Sequence, residues 1–228
     1  MDGANKRFMH GKEQWLQNHL ILYNVANAAA NPWMDPLVPA NPALELPVYD
    51  FDLRKLPDIQ DSTGAVMKAY ALTALTHLGD ARAVGALTHA LRAYFLPWGT
   101  NQTYRGRLGA NADFFFTPTL NGCTFAADGA GATPMVAHSN HVNVAAQTVN
   151  QAQINADLAG IYGAGGPGRI IHRNAYKAHA VGTEDYRVTI IGIRGAAGWR
   201  FYYQRYQTDI NAAGTGLLYT ALNRAAAL

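Results

Sequence analysis

The chain has 228 residues and a mass of 24.6 kDa, with 49% hydrophobic and 14% charged residues and a formal net charge of +3 at pH 7. This length and composition suit one large domain with a substantial core and exclude extensive disorder. The Lys and Arg residues are scattered rather than clustered, so we expect no nucleic-acid partner. A single cysteine excludes an intramolecular disulfide framework and a cysteine-rich zinc site.

The N-terminal sequence MDGANKRFMHGKEQW lacks the apolar segment of a cleavable signal peptide. No run of about 18 apolar residues is present either, so we expect no membrane span. These features indicate a protein that folds in the cytosol. Delivery by a dedicated export machine, which needs no cleavable signal, stays open.

The first hundred residues are predicted to be mainly helical. Residues 1–30 carry apolar side chains near helical spacing, which indicates one helix. Six of the ten prolines lie within residues 31–60, which favours an extended segment that wraps over a surface. Helical spacing returns over 62–96, where a cap at Asp61 and a break at 78–80 predict a helical hairpin.

After about residue 104 the pattern changes to short segments rich in aromatic and β-branched residues, separated by turns that contain glycine. A helix, a β-hairpin with a Gly-Ala-Ala-Gly turn, and a C-terminal helix follow in the same region. The predicted strands are 113–120, 122–127, 133–144, 168–173 and 178–182, the helices are 145–162 and 216–227, and the hairpin is 186–206.

Helices in the first half and strands in the second predict an α+β fold with a central β-sandwich or mixed sheet flanked by helices. We predict a single domain over 1–228, with a mainly helical N-terminal region and proline-rich wrap over 1–105 and a β-rich core over 106–228. The glycine-rich loop GAGGPG lacks the strand–turn–helix context of a dinucleotide site, and no P-loop motif is present, so we predict no nucleotide cofactor.

Cys123, the one cysteine, is a candidate nucleophile. A catalytic thiol needs a neighbouring base, and imidazole suits that task. The strands predicted on either side of the turn 128–132 should form a hairpin that returns His138 alongside Cys123. Side chains alternate along a strand, so His138 and Asn140 share one face while His141 points to the other. Whether Cys123 shares the face of His138 depends on the pairing register.

A structural role for the thiol stays open, because lone cysteines are often small buried side chains. The Asn121-Gly122 turn favours the catalytic interpretation. Such a turn presents backbone N–H groups beside the thiol, up to Thr124, and these groups are what an oxyanion hole is made of.

The sequence TPTLNGCTFAA, followed fifteen residues after Cys123 by His138, resembles the Leu-Ser-Gly-Cys motif and the Cys–His spacing of the glutamine deamidase domain of the cytotoxic necrotizing factors. The later segment VTIIGIRGAAGWRFYYQ resembles the strand pair of that family. Burkholderia lethal factor and the chemotaxis-receptor deamidases are more distantly similar. The resemblance covers about residues 110–208.

The resemblance implies a β-sandwich enzyme that converts a glutamine of a target protein to glutamate through a thioester, with no metal or organic cofactor. Cys123 would be the nucleophile and His138 the base, and the hydroxyl of Thr117 would orient the imidazole. Asn121 stands where the family has serine. The residues before about 105 have no counterpart in the family, and we expect them to carry target recognition.

The resemblance also implies a bacterial toxin or effector that is delivered into the host-cell cytoplasm. Its substrate would be a host protein, such as a small GTPase or a translation factor. We expect the protein to act as a monomer.

Three alternatives remain at this point. A papain-like amidase or peptidase would use His172 or His179 as its base, although the sequence after Cys123 does not suit the helix such enzymes place there. A non-enzymatic exported protein would bind through the aromatic hairpin and the proline-rich wrap. Transglutamination would use the same site residues, with an amine in place of water. Metal binding is poorly supported, because His138 and His141 face opposite sides of a strand.

Overall fold

The computed structural model describes residues 2–23, 45–77, 89–129, 131–143, 148–177, 185–210, 217–221 and 226–228. The fold belongs to the predicted α+β class: a large curled mixed sheet, a four-stranded sheet and a few helices. The helices are α1 (Asp2–His10), α2 (Lys12–Asn18), α3 (Gln151–Tyr162) and α4 (Arg173–Lys177). The strands are β1 (His19–Tyr23), β2 (Val48–Lys55), β3 (Ile59–Asp61), β4 (Val66–His77), β5 (Leu91–Phe95), β6 (Gln102–Arg107), β7 (Phe114–Phe116), β8 (Thr124–Ala127), β9 (Met135–Asn140), β10 (Val142–Asn143), β11 (Thr148–Val149), β12 (Arg169–Ile171), β13 (Asp185–Gly195), β14 (Gly198–Ile210), β15 (Leu217–Ala221) and β16 (Ala226–Ala227).

The large sheet has the strand order β1-β4-β2-β5-β7-β13-β14-β15-β3, and β16 pairs with β14. Because β3 also pairs with β4, the sheet curls back on itself. Strand β7 shows how the sheet separates two cores. Phe114 and Phe116 belong to the cluster on one face, whereas Phe115 belongs to the cluster on the other, as alternation along a strand requires.

The smaller sheet is antiparallel, in the order β12-β8-β9-β6, and packs against the large one. Three aromatic rings join the two layers: Phe125 of β8 has its centroid 5.8 Å from that of Phe115 and 5.5 Å from that of Phe201. Helix α3 covers the opposite face, where Ile154 and Leu158 pack on alanines of β8 and β9. The smaller sheet thus has an inner face toward the large sheet and an outer face toward α3.

For most elements of the second half of the chain, the predicted type of secondary structure, helix or strand, is confirmed. Each of the predicted strands at 113–120, 122–127, 133–144 and 168–173 contains an observed strand, and α3 lies within the predicted helix at 145–162. The hairpin is β13 and β14, paired without interruption as far as Gly195 and Gly198. Within the described ranges, no helix has the length and apolar character that a membrane crossing requires.

The helical hairpin predicted over 62–96 is wrong, because Val66–His77 and Leu91–Phe95 are strands β4 and β5. Strand β4 lies between β1 and β2, and β5 lies between β2 and β7. Both are interior strands with nearly continuous burial, and such apolar runs do not show the alternation that would separate them from a helix. Pairing with distant strands overrides the helical preference of the alanines in β4.

Two other helix predictions are also corrected. The helix predicted within 1–30 ends at Asn18, and HLILY forms strand β1, which pairs parallel to β4. The C-terminal helix predicted over 216–227 is replaced, where described, by strands β15 and β16. The described part of residues 1–105 therefore holds more strand than helix, contrary to the mainly helical region predicted. Residues 31–44 of the proline-rich wrap and the strand predicted at 178–182 lie outside the described residues. The later part of the predicted wrap is corrected, because Val48–Lys55 forms the interior strand β2 between β4 and β5 rather than a segment that wraps over a surface.

Candidate active site

The pairing of β8 with β9 sets the relation between the thiol and the imidazole. Phe125 lies directly opposite His138, and opposite residues of an antiparallel pair share a face. Cys123 comes two residues before Phe125 and packs with it in the inner hydrophobic cluster. Cys123 and His138 therefore lie on the same inner face as diagonal neighbours, a relation with a Cα separation of about 7–8 Å in a regular ladder.

Both side chains are buried between the two sheets: Cys123 is 4% exposed and His138 is 0% exposed. His141, three residues further on, is partly exposed on the opposite, outer face. The sequence therefore separated the two histidines of this strand correctly by side. The burial of His138 means that its protonation is decided by its immediate neighbours.

The hydroxyl of Thr117 orients the His138 imidazole. Thr117 Oγ1 lies 2.7 Å from His138 Nδ1 and donates its proton to the carbonyl of Leu96 at 2.8 Å. A hydroxyl has one proton, so Thr117 must accept the proton of Nδ1. The network therefore assigns the Nδ1–H tautomer to the neutral ring, and Nε2 carries the basic lone pair.

Nε2 of His138 is buried and has no hydrogen-bond partner within the described part of the chain. Burial lowers the pKa of His138 to about 3, because the surrounding apolar groups cannot solvate an imidazolium. At neutral pH the ring is thus an uncharged base that faces the same apolar interior as Cys123. An uncharged imidazole with a free lone pair at Nε2 is the form of histidine that can accept a proton.

Tyr176 of α4 holds in place the cysteine loop, residues 121–123 before β8. Its hydroxyl accepts a hydrogen bond from Gly122 N–H and donates one to the Cys123 carbonyl, both at 2.8 Å. Burial raises the pKa of Tyr176, so the hydroxyl keeps the proton that it donates. Gly122 adopts a φ of 99°, a left-handed conformation that favours glycine at this turn.

The hydrogen bond from Gly122 to Tyr176 removes one predicted donor of the oxyanion hole. The Gly122 N–H already bonds Tyr176, so it does not point to an approaching substrate. The side chain of Thr124 lies on the outer face of β8, with Oγ1 3.4 Å from Nδ1 of His172, and Asn121 is exposed. Of the three backbone N–H groups predicted for this role, those of Asn121 and Thr124 stay candidates.

The histidines of the papain-like alternative lie elsewhere. His172 contacts Thr124 and Gln151 on the outer face, and its pKa is lowered by burial. It is therefore on the opposite side of β8 from the Phe125 ring, whereas His138 shares that ring's face. His179 lies outside the described residues.

A second polar cluster, formed by Thr103, Ser139, His141, Gln153 and Asp157, joins α3 to the outer face. The Asp157 carboxylate accepts hydrogen bonds from Thr103, His141 and Gln153 at 2.5–2.8 Å, and Ser139 Oγ lies 2.7 Å from Thr103 Oγ1. Burial alone would raise the pKa of Asp157, but these hydrogen bonds hold it below its usual value.

The cluster of Thr103, His141 and Asp157 does not have the geometry of a catalytic triad. Both Thr103 and Asp157 meet the imidazole of His141 at the same nitrogen, Nε2. A triad requires the hydroxyl and the carboxylate at opposite nitrogens, so that a proton enters the ring at one and the other is held. The cluster therefore acts as a clamp between helix and sheet.

Tyr176 and Leu96 were missed by sequence reasoning. Tyr176 is 53 residues from the carbonyl that it bonds, and Leu96 is 21 residues from Thr117. Neither belongs to a motif, and only the folded sheet brings them to the site. Among the described residues, no group of three or more His, Cys, Asp or Glu side chains is placed to hold a metal ion.

In comparisons with known proteins, no family model matches the sequence and no curated protein is significantly similar to it. A functional assignment therefore depends on the residues and contacts described above.

Proposed function

We propose that the protein is a cysteine-dependent glutamine deamidase in which Cys123 is the nucleophile and His138 is the base. One observation carries the proposal: a wholly buried imidazole, held by Thr117 as the Nδ1–H tautomer, leaves an unpartnered Nε2 on the inner face that Cys123 shares. The resemblance to the deamidase domain of the cytotoxic necrotizing factors supports the same three residues.

The reaction begins when His138 Nε2 takes the proton of the Cys123 thiol and the sulfur attacks the carboxamide carbon of a glutamine. As the tetrahedral intermediate collapses, the C–N bond breaks and His138 returns the proton to the departing nitrogen, which leaves as ammonia. Water, deprotonated by the same Nε2, then attacks the thioester. The C–S bond breaks, glutamate is formed, and the thiol recovers its proton.

Thr117 contributes by accepting the Nδ1 proton throughout this cycle. A ring rotated by half a turn would place Cε1 where Nε2 lies, with no lone pair to act as a base, so the hydroxyl selects the productive orientation. The neutral resting state of His138 means that the thiol is activated as the proton is transferred, and no stable ion pair precedes substrate binding.

We further propose, from the resemblance, that the protein is a toxin or effector delivered into a host cell, where it acts as a monomer. Its substrate would be a host protein, such as a small GTPase or a translation factor. The buried position of the thiol suits the long, flexible side chain of glutamine, which carries its carboxamide away from the backbone of the target.

The test compares the protein with its Cys123→Ser variant in eukaryotic cell lysate. Mass spectrometry should detect glutamine residues converted to glutamate by the wild type, and the conversion should vanish in the variant. A primary amine added to a parallel sample separates deamidation from transglutamination, because the amine would appear in the product. Conversion that persists in Cys123→Ser would overturn the assignment. A wild-type protein without any conversion would favour the non-enzymatic interaction protein.

A further inference from the structure

The turn that precedes β6 lies at the same end of the smaller sheet as the cysteine. Strand β8 begins at Thr124, directly after Cys123, and Thr124 pairs with Ser139 near the end of β9. On the other side of β9, Gln102 at the start of β6 pairs with Asn140. The cysteine loop and the residues 97–101 therefore flank the end of β9, on its two sides.

This turn is also connected to the imidazole. Leu96, whose carbonyl accepts the Thr117 hydroxyl, is followed two residues later by Trp98, so their Cα atoms are at most about 7 Å apart. The next residue, Gly99, packs on Tyr104: a Cβ added to Gly99 would lie 3.0 Å from the Tyr104 hydroxyl. Tyr104 in turn lies directly opposite His138 in the β6–β9 ladder.

Trp98 is 39% exposed, and among the described residues only Val66 shares its standing as a large exposed hydrophobic side chain. A partly exposed indole loses part of the free energy that full burial would give, and tryptophan is strongly enriched among the residues that dominate binding interfaces. The exposed side chains of the turn and of the cysteine loop are uncharged: Thr100, Asn101, Gln102 and Asn121. The exposed Arg173, at the start of α4, follows β12 on the other side of β8. The surface between the turn and the cysteine loop therefore suits an apolar, uncharged segment.

We propose that Trp98 determines substrate specificity by contacting an apolar side chain on the extended segment that carries the target glutamine. This inference rests on the proposed function. Strands β8 and β6 are separated by β9, which gives two interstrand spacings, or about 10 Å. An extended chain covers that distance in about three residues. The preferred apolar residue therefore lies about three positions from the glutamine.

The test uses blocked fluorescent peptides with one glutamine and either leucine or serine three positions before or after it. Binding is measured by fluorescence anisotropy on the Cys123→Ala variant, and kcat/KM is measured on the active protein. For one of the two placements, before or after the glutamine, the leucine peptide should bind about tenfold more tightly than the matching serine peptide, which corresponds to about 1.4 kcal/mol. Adding Trp98→Ala should abolish this preference, whereas Val66→Ala, the matched exposed control, should keep it.

A leucine preference that survives Trp98→Ala, or the absence of any preference, would overturn the inference. The same measurements separate a failure of this inference from a failure of the proposed function. Peptides bound with a Trp98-dependent preference but never deamidated would support Trp98 as a docking residue and contradict the enzyme. Deamidation that needs Cys123 but is indifferent to Trp98 would support the enzyme and contradict this contact.

Discussion

Replacing His138 with alanine is expected to lower kcat for glutamine deamidation by about 10²–10⁴-fold, the range in which general acid–base catalysis contributes. In the proposed cycle the imidazole accepts a proton from Cys123 and then from water, and it returns a proton first to the departing nitrogen and then to the thiolate. Within the described part of the chain no other histidine is shown on this inner face. The rate is measured as ammonia released from a glutamine peptide, normalised to the folded fraction by circular dichroism.

The matched control is His141→Ala. This histidine lies on the same segment of chain but on the outer face, in contact with Asp157, so its loss should leave the catalytic rate close to that of the wild type. Thr117→Val should give an intermediate loss because valine cannot accept the Nδ1 proton, and Thr117→Ser should recover activity because it keeps the hydroxyl. Equal losses for His138→Ala and His141→Ala would contradict the assignment of the base.

The second large effect is on stability at low pH. Burial lowers the pKa of His138 in the folded protein to about 3, whereas the unfolded chain has the ordinary value of 6.5. Between pH 6.5 and pH 3 the unfolded chain therefore binds a proton at His138 that the folded protein does not bind. The free energy of unfolding should be fully retained above pH 6.5 and should fall by up to about 1.4 kcal/mol per pH unit below it, roughly 4–5 kcal/mol by pH 3.

Urea unfolding at a series of pH values tests this effect by comparing the wild type with His138→Gln. Glutamine does not titrate, so the variant should lose the part of the acid sensitivity that His138 causes. His19 and His172, whose pKa values burial also lowers, act in the same direction in both proteins and cancel in the difference. If the free energy of unfolding depended on pH in the same way for both proteins, His138 would bind its proton at the same pH in the folded and unfolded states, which would contradict the prediction.

The β8–β9 hairpin was predictable from sequence because its signals are local. An Asn-Gly turn, a short apolar run, a glycine-rich turn and a return strand occupy consecutive residues. The side of His138 followed from alternation alone. The register did not, because two neighbouring registers differ only in which face meets the core, and that choice depends on the large sheet.

The interior strand β4 shows why the first half could not be predicted equally well. Its partners β1, β2 and β3 come from residues 19–61, and its alanine-rich sequence suits a helix as well as a buried strand. The site likewise combines residues that the sequence identifies with residues that only the fold brings to it. Thr117, six residues before Cys123, could be named from the resemblance, whereas Tyr176 and Leu96 reach the site only through long-range pairing and packing.

The central claim is that Cys123, activated by His138, attacks the carboxamide of glutamine. The most direct test is a peptide in which a diazoketone analogue replaces the glutamine, since the nucleophile that attacks this position becomes alkylated. Digestion and mass spectrometry should locate a single label on Cys123, with no label in Cys123→Ser and much slower labelling in His138→Ala than in His141→Ala. A label on another residue, or labelling of Cys123 at the same rate without His138, would contradict the claim.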